Sequence, residues 1–237
     1  MNLYFLVEGK KTEPLVYPQW LKYLLPDFNQ VSFACDVANG KNNYYLVSGL
    51  GMPRLLDIQL PESINEINEL GNFDFLILIV DADDMTIEER INEIRQYIRD
   101  EKIVLNAKCK LQIIAQKYCM ETWFLGNRKV YPRNTDNLDF INHAQHYDVS
   151  QNDPEFMVKP NSLAGSTSIY HELYLRKMLA AKNINYSKSN PKEVGEKYYL
   201  EELNKRVNET PHLSSLKNFF SFCKSISIQQ AVTHDAQ

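Results

Sequence analysis

Residues 72–84, NFDFLILIVDADD, are the feature that most constrains how this chain can fold. From Phe73 to Val80 the segment is nearly all apolar, and it ends in three aspartates. An apolar run without alternation is typical of a parallel strand that is covered on both faces. The run is also far shorter than the roughly 18 apolar residues that span a bilayer. It therefore predicts a central strand in a layered sheet.

Shorter patterns on either side of this strand alternate between strand and helix. The clearest helix is 86–100, because Ile87, Ile91, Ile94 and Ile98 share one face. The alternation predicts an α/β fold, a doubly wound and mostly parallel sheet within residues 1–126. The other strand candidates are 3–7, 31–37 and 110–116, and the other helix candidates are 13–25, begun by Thr12 as N-cap, and broken helices within 52–70.

The second part of the chain has a different composition. Residues 127–162 are rich in Asn, Asp and Pro, which predicts loops. Helical patterns follow, so residues 127–227 are expected to form a helical region that packs on the first domain, with a flexible tail at 228–237. The predicted helices of this region are 168–183, 193–208 and 213–226.

Charge and cysteine content narrow the function classes. The net charge of −4 argues mildly against an indiscriminate nucleic-acid binder. The charge is uneven, however, because residues 1–116 hold 11 Lys and Arg against 17 Asp and Glu, whereas 117–226 hold 15 against 12. The four cysteines form no C-x-x-C pair, which predicts neither a zinc site nor a disulfide framework. With no signal peptide or membrane span expected, the predicted location is the cytoplasm.

Acidic residues follow two of the predicted strands. Glu8 comes directly after 3–7, and Asp81, Asp83 and Asp84 end the central strand. If these strands are neighbours, their carboxylates converge at the carboxyl edge of the sheet, where they would raise one another's pKa unless a Mg²⁺ ion were bound. Gly9 is expected to let the backbone turn and to leave room for an ion or phosphate. The alternative is that the acids only mark strand ends and helix starts.

These residues resemble a known family. LVEGKKTE followed by LILIVDADD resembles the Toprim domain of topoisomerases, bacterial primases and overcoming-lysogenization-defect nucleases, whose marks are a glutamate after the first strand and an Asp-x-Asp, here Glu8 and Asp81-Ala82-Asp83. Glu13 is similar to the additional metal-binding acid of the nuclease branch. YCMETWFLG resembles the Cys-x-Glu-x-Trp segment of small RloB-like Toprim proteins, which would bring Glu121 to the site.

The resemblance implies a Mg²⁺- or Mn²⁺-dependent endonuclease. One or two ions would be held by the acids, and Lys10 or Lys117 would stabilise the transition state. The substrate would be DNA or RNA, tRNA included. Small stand-alone Toprim proteins of this kind are typically toxic effectors of anti-phage systems that work with an ATPase partner, as in the PARIS system, and a homodimer is compatible with them. The implied metal ligands are Glu8, Glu13, Asp81, Asp83 and Glu121.

A nucleic-acid groove is predicted beside Glu121, where basic residues alternate with aromatic ones. An ordinary surface over a core tryptophan explains the same pattern equally well. If this groove is absent, the expected alternative lies around Lys10, Lys11 and the lysines of 182–197. The residues predicted to bind nucleic acid are Lys11, Arg128, Lys129 and Arg133.

Other nucleotide-binding motifs are excluded or weak. GKKT, at 9–12, lacks the upstream glycine of a P-loop, and GLGMPR, at 49–54, lacks the third glycine of a dinucleotide fingerprint. A different class stays open: a non-catalytic Toprim-like module that binds a nucleotide or a protein. The retained acids favour the enzyme.

Overall fold

The structure is a computed structural model that describes residues 1–234, with side chains described up to residue 230. Five strands form one sheet in the order β2-β3-β1-β4-β5, and every neighbouring pair is parallel. This confirms the predicted α/β class. The strands are β1 (Asn2–Val7), β2 (Asn29–Gln30), β3 (Asn43–Ser48), β4 (Phe75–Asp81) and β5 (Lys110–Gln116).

Helices cover the sheet and make up most of the chain after β5, as predicted. Short 3₁₀ turns occur at Ala34–Asn39 and Pro154–Phe156, and a π-helical turn at Leu55–Gln59 leads directly into α2. The α-helices are α1 (Thr12–Leu24), α2 (Leu60–Leu70), α3 (Ile87–Asp100), α4 (Met120–Phe124), α5 (Leu138–His146), α6 (Thr167–Ala180), α7 (Lys192–Gly195), α8 (Lys197–Glu209) and α9 (Ser214–His234).

The central strand β4 is buried on both faces, which confirms the reading of its continuous apolar run. Ile77 and Ile79 belong to an apolar cluster with α1 and the C-terminal helices. Leu76, Leu78 and Val80 belong to a second cluster with α2 and α3 on the opposite face. Successive side chains of a strand point to opposite faces, so a strand between two helical layers needs apolar residues at every position.

The predicted strand at 31–37 is wrong. This segment contains the 3₁₀ turn, in which Ala34 and Val37 are buried at a helical spacing of three while Phe33 is 67% exposed. The real strand, β3, starts at the end of the predicted Asn- and Gly-rich turn and pairs with β1 along its whole length. The position of this strand depends on pairing with β1, and the sequence does not show which segment will lie beside β1.

Several boundaries also differ from the sequence prediction. Thr12 is not the N-cap of α1: Lys11 occupies that position, and the Thr12 hydroxyl donates a hydrogen bond to Lys188 O at 3.3 Å. The loop-rich region after 126 contains α5. Helix α9 continues to His234, where a tail from 228 was predicted, and residues 235–237 lie outside the described residues.

The predicted domain boundary at residue 126 crosses a shared core. One apolar cluster includes Phe5 and Trp20 before the boundary and Leu203 and Phe219 after it. Trp123 stacks on Phe219, with ring centroids 5.9 Å apart. The division into two domains stays a prediction. Within the described residues, we find no helix with the length and apolar character that crossing a membrane requires.

Candidate metal centre

Acidic side chains meet at the carboxyl edge of the sheet. Strands β1 and β4 are neighbours, with Val7 opposite Ile79, so Glu8 and Asp81 leave adjacent strand ends as predicted. A cleft of about 330 Å³ opens there. Four of the five predicted metal-binding acids line it: Glu8, Glu13, Asp81 and Glu121. We call this set of four the cleft acids.

Glu8 connects the two strands. Its backbone N–H donates to Ile79 O at 3.0 Å, and its Oε2 accepts from the backbone N–H of Asp81 at 3.0 Å. Burial raises the pKa of Glu8, and the nearby charge of Asp83 raises it further. The carboxylate is therefore fixed in direction while its negative charge is disfavoured.

Asp81 is the least satisfied of the cleft acids. Its Oδ1 is buried and has no hydrogen-bond partner among the described residues. Burial and the charges of Glu13, Glu8 and Glu121 raise the pKa of Asp81 well above its ordinary value. A buried oxygen without a donor is costly. A bound cation would give this oxygen a partner and would offset the repulsion between the carboxylates.

Glu13 is buried in the first turn of α1. Its Oε2 accepts from the backbone N–H of Gly9, and its Oε1 accepts from Gln116 Nε2 at 3.2 Å. Burial, with further contributions from Glu8 and Glu121, raises the pKa of Glu13 to about 8. Gln116 also donates to Tyr17 Oη at 2.5 Å, so a buried polar chain sets the direction of Glu13.

Gly9 is needed for space rather than for a special backbone angle. Its φ is not in the left-handed region. A Cβ at this position would overlap the carboxylate of Glu13. The absence of a side chain at Gly9 therefore leaves room for the Glu13 carboxylate beside the end of β1.

The C-terminal region completes the cleft. Glu121 is buried in α4, and its Oε1 accepts from Tyr186 Oη at 2.9 Å and lies 3.8 Å from Lys188 Nζ. Lys188 Nζ is also 3.4 Å from Glu172 Oε2. Burial lowers the pKa of Lys188, but the two glutamates outweigh this effect and raise it to about 12. Lys188 lines the cleft, and the sequence indicated it only as one of the lysines of 182–197.

Asp83 is not part of the cleft lining. Its Oδ2 is 3.3 Å from Arg90 Nη2, and its Oδ1 accepts from Ser168 Oγ at 3.2 Å. The residue has a φ of +49°. This left-handed conformation ends the strand geometry that would have placed Asp81 and Asp83 on the same side.

Of the two lysines predicted to stabilise a transition state, one lines the cleft. Lys10 is exposed at its mouth, next to Lys11. Lys117 lies outside the lining: its Nζ donates to Met85 O at 2.8 Å and sits 4.1 Å from the centroid of the Tyr118 ring. Burial lowers the pKa of Lys117.

The basic residues predicted to flank Glu121 are also outside the cleft lining. Both Arg128 and Lys129 pair with glutamates of α8. Arg128 Nη2 is 2.8 Å from Glu209 Oε2, and Lys129 Nζ is 3.9 Å from Glu202 Oε1. Arg133 lies at a separate depression beside α5. The structure therefore brings Lys10, Lys11 and Lys188 to the acids, and these residues lie in the region that the sequence analysis gave as the alternative.

The donor set suits a hard cation, although its side chains are not yet in ligand positions. Among side chains up to residue 230, no group of three or more His, Cys, Asp or Glu is arranged to hold a metal ion. The carboxylate oxygens are nevertheless the ligands that Mg²⁺ and Mn²⁺ prefer, and the buried Asp81 Oδ1 needs a partner. The residues therefore fit such an ion in chemistry.

Comparison of the chain with protein-family models, with curated proteins and with solved structures finds no match. The Toprim resemblance accordingly depends on the residues of this chain alone.

Proposed function

We propose that this protein is a Mg²⁺- or Mn²⁺-dependent phosphodiesterase that cuts DNA or RNA at the cleft. The observation that carries the proposal is the state of Asp81, whose buried oxygen has no partner among the described residues and whose ionised form is opposed by four neighbouring carboxylates. In a purely structural site, a buried oxygen of this kind would be expected to have a hydrogen-bond donor. A site for a cation explains why it is unpaired.

Glu8, Glu13, Asp81 and Glu121 would hold one or two ions. When bound, the metal would activate water and stabilise negative charge on the scissile phosphate. The remaining task of the chain is to keep these carboxylates in one place. Backbone N–H groups fix Glu8 and Glu13, while Gln116 and Tyr186 fix the second oxygen of Glu13 and one oxygen of Glu121.

Lysines would bind the phosphates of the substrate. Lys10 and Lys11 lie at the mouth of the cleft, and Lys188 lies inside it next to Glu121. Point charges of this kind hold a phosphate backbone without reading its sequence. Of the three cleft lysines, Lys10 and Lys188 would also stabilise the transition state.

The test is cleavage of labelled DNA and RNA, tRNA included, with Mg²⁺, Mn²⁺ or EDTA. Wild type should cut only with metal, and Glu8→Gln should lose activity while keeping its fold. Asp84→Asn is the matched control, because Asp84 follows the same strand but is exposed and outside the cleft lining. Equal activity of Glu8→Gln and wild type would exclude the proposal.

A binding module without catalytic activity is the second candidate. It is favoured by the hydrogen bonds that already occupy Glu8 and Glu13, and by the absence of a metal-ready group among the described side chains. The lysines would then bind a phosphorylated ligand or an acidic protein surface. Binding of nucleotides or nucleic acid in EDTA, with no thermal shift in millimolar Mg²⁺, would support this alternative.

The biological role is proposed on the family resemblance alone. A toxic effector of an anti-phage system, acting with an ATPase partner, would need its activity held in check until infection. A cytoplasmic location is part of the proposal and agrees with the four free cysteines. Co-purification of an ATPase with this protein, and the mass of the isolated protein in solution, would test the partner and the homodimer.

A further inference from the structure

The two aspartates of the Asp-x-Asp motif have opposite surroundings. Asp81 has a buried oxygen without a partner among the described residues, whereas each oxygen of Asp83 has one. Arg90 is 3.3 Å from Asp83 Oδ2, and Ser168 donates to Asp83 Oδ1 at 3.2 Å. Asp83 does not line the cleft. The motif therefore contributes one unsatisfied acid and one satisfied acid.

Arg90 is held firmly in its position. Its side chain is only 10% exposed, and its Nη1 is 2.6 Å from Glu93 Oε2, one turn further along α3. Its Nε is buried and has no partner among the described residues. If Asp83 turned away, a buried guanidinium with one donor already unsatisfied would lose another partner, which is strongly unfavourable.

The backbone of Asp83 is fixed as well. Its N–H donates to Tyr118 O at 3.0 Å, and the two residues form an antiparallel bridge. Any movement of the carboxylate towards the cleft would therefore be a rotation of the side chain that breaks the Arg90 and Ser168 contacts. The helix α6 that carries Ser168 belongs to the C-terminal region, so both parts of the chain hold this one acid.

We infer that Arg90, with Ser168, is a positioning residue that holds Asp83 outside the cleft, so that the resting cleft binds a single divalent cation. The inference rests on the proposed metal site and adds its stoichiometry. Asp83 becomes a ligand, and a second ion binds, only when the contact with Arg90 is broken.

The first experiment is a Mn²⁺ titration, read by equilibrium dialysis and by the electron paramagnetic resonance of bound Mn²⁺. Wild type should bind one ion per chain. Asp83→Asn should keep that ion with an affinity within about threefold of wild type, whereas Asp81→Asn should weaken it by more than about tenfold, as loss of a ligand requires.

The second experiment removes the positioning residue. Arg90→Met should admit a second Mn²⁺, seen as spin coupling between the two ions, and the double change with Asp83→Asn should remove it again. Arg95→Met is the matched control, because Arg95 is an exposed arginine of the same helix. Ser168→Ala should bind the second ion more weakly than Arg90→Met, and it serves as the test if Arg90→Met does not fold.

The outcomes separate this inference from the proposed function. Two ions in wild type, or an Asp83→Asn protein that loses the first ion as Asp81→Asn does, would overturn the inference and leave the metal site standing. One ion in both Arg90→Met and Ser168→Ala would also overturn it. No Mn²⁺ bound to folded wild type would overturn the proposed function itself.

Discussion

Two groups of buried acids in this protein have opposite environments. Asp153 and Glu155 precede α9 and cap its N-terminal end: Asp153 Oδ1 accepts from Leu213 N–H at 3.1 Å, and Glu155 Oε1 from Ser215 N–H at 2.9 Å. Glu155 Oε2 accepts from Ser214 Oγ at 2.7 Å. Carboxylates are favourable at this end of a helix. We call these two residues the capping acids.

The cleft acids differ from the capping acids in what surrounds them. Burial raises the pKa of Glu155 among the capping acids and of Glu13 among the cleft acids. Around Glu155, however, the next three effects are hydrogen bonds that lower its pKa, whereas the further effects on Asp81 are all repulsions from other carboxylates. A raised pKa therefore does not by itself indicate function. An unpartnered oxygen and mutual repulsion at an open cleft distinguish the cleft acids from the capping acids.

The comparison predicts, first, a large stability loss in the capping group. Glu155→Ala should lower the free energy of unfolding by about 3 kcal/mol, because it leaves buried donors of Ser215 without an acceptor. Chemical denaturation measures this loss, and Mn²⁺ affinity of the folded fraction should not change. Glu88→Ala, an exposed glutamate on α3, is the control. A loss below about 1 kcal/mol would remove the distinction between the groups.

The second prediction concerns the cleft group, where the same kind of change should stabilise. Asp81→Asn should weaken Mn²⁺ binding about 100-fold, equivalent to about 2.7 kcal/mol. In EDTA it should raise the melting temperature, since it removes a charge that four carboxylates oppose. Titration calorimetry and thermal unfolding are the measurements. Destabilisation in EDTA would mean that Asp81 is a structural acid like Glu155.

The third prediction is a pH dependence. The pKa of Glu13 rises from 4.5 to about 8 in the folded protein, so between these values the folded chain binds more protons than the unfolded chain. Stability in EDTA should therefore decrease as the pH rises through this window. Glu13→Gln should make this loss of stability smaller without abolishing it, because the pKa values of Asp81 and Glu8 are raised as well. Glu69→Gln, at an exposed position, should leave it unchanged.

The smallest effect is expected at Tyr186. Tyr186→Phe removes the hydrogen bond to Glu121 and should lower stability by about 1 kcal/mol. It should also weaken Mn²⁺ binding by roughly tenfold if Glu121 is a ligand, because Tyr186 sets its direction. Tyr198→Phe is the control, since Tyr198 bonds to Glu193 away from the cleft. Unchanged Mn²⁺ affinity in Tyr186→Phe would place Glu121 outside the metal site.

Local sequence patterns were sufficient to predict several helices and strands and part of the candidate site. The apolar run before Asp81 indicated a strand buried on both faces, and the isoleucine spacing of 86–100 indicated α3; both are confirmed. The placement of Glu8 and Asp81 at one edge also followed, since parallel neighbours end together. Gln116 ends β5 and was open to the same reasoning, but a neutral amide gave no signal for chemistry.

Pairing between distant segments decided the rest. The sequence by itself determined which residue types stand at the strand ends, because hydrophobic periodicity and charge are local properties. Only the tertiary structure decided that Tyr186 and Lys188 reach Glu121, 65 residues earlier for the tyrosine, and that Arg90 pairs with Asp83. These contacts depend on burial and on which partners lie opposite, and neither is visible until the chain has folded.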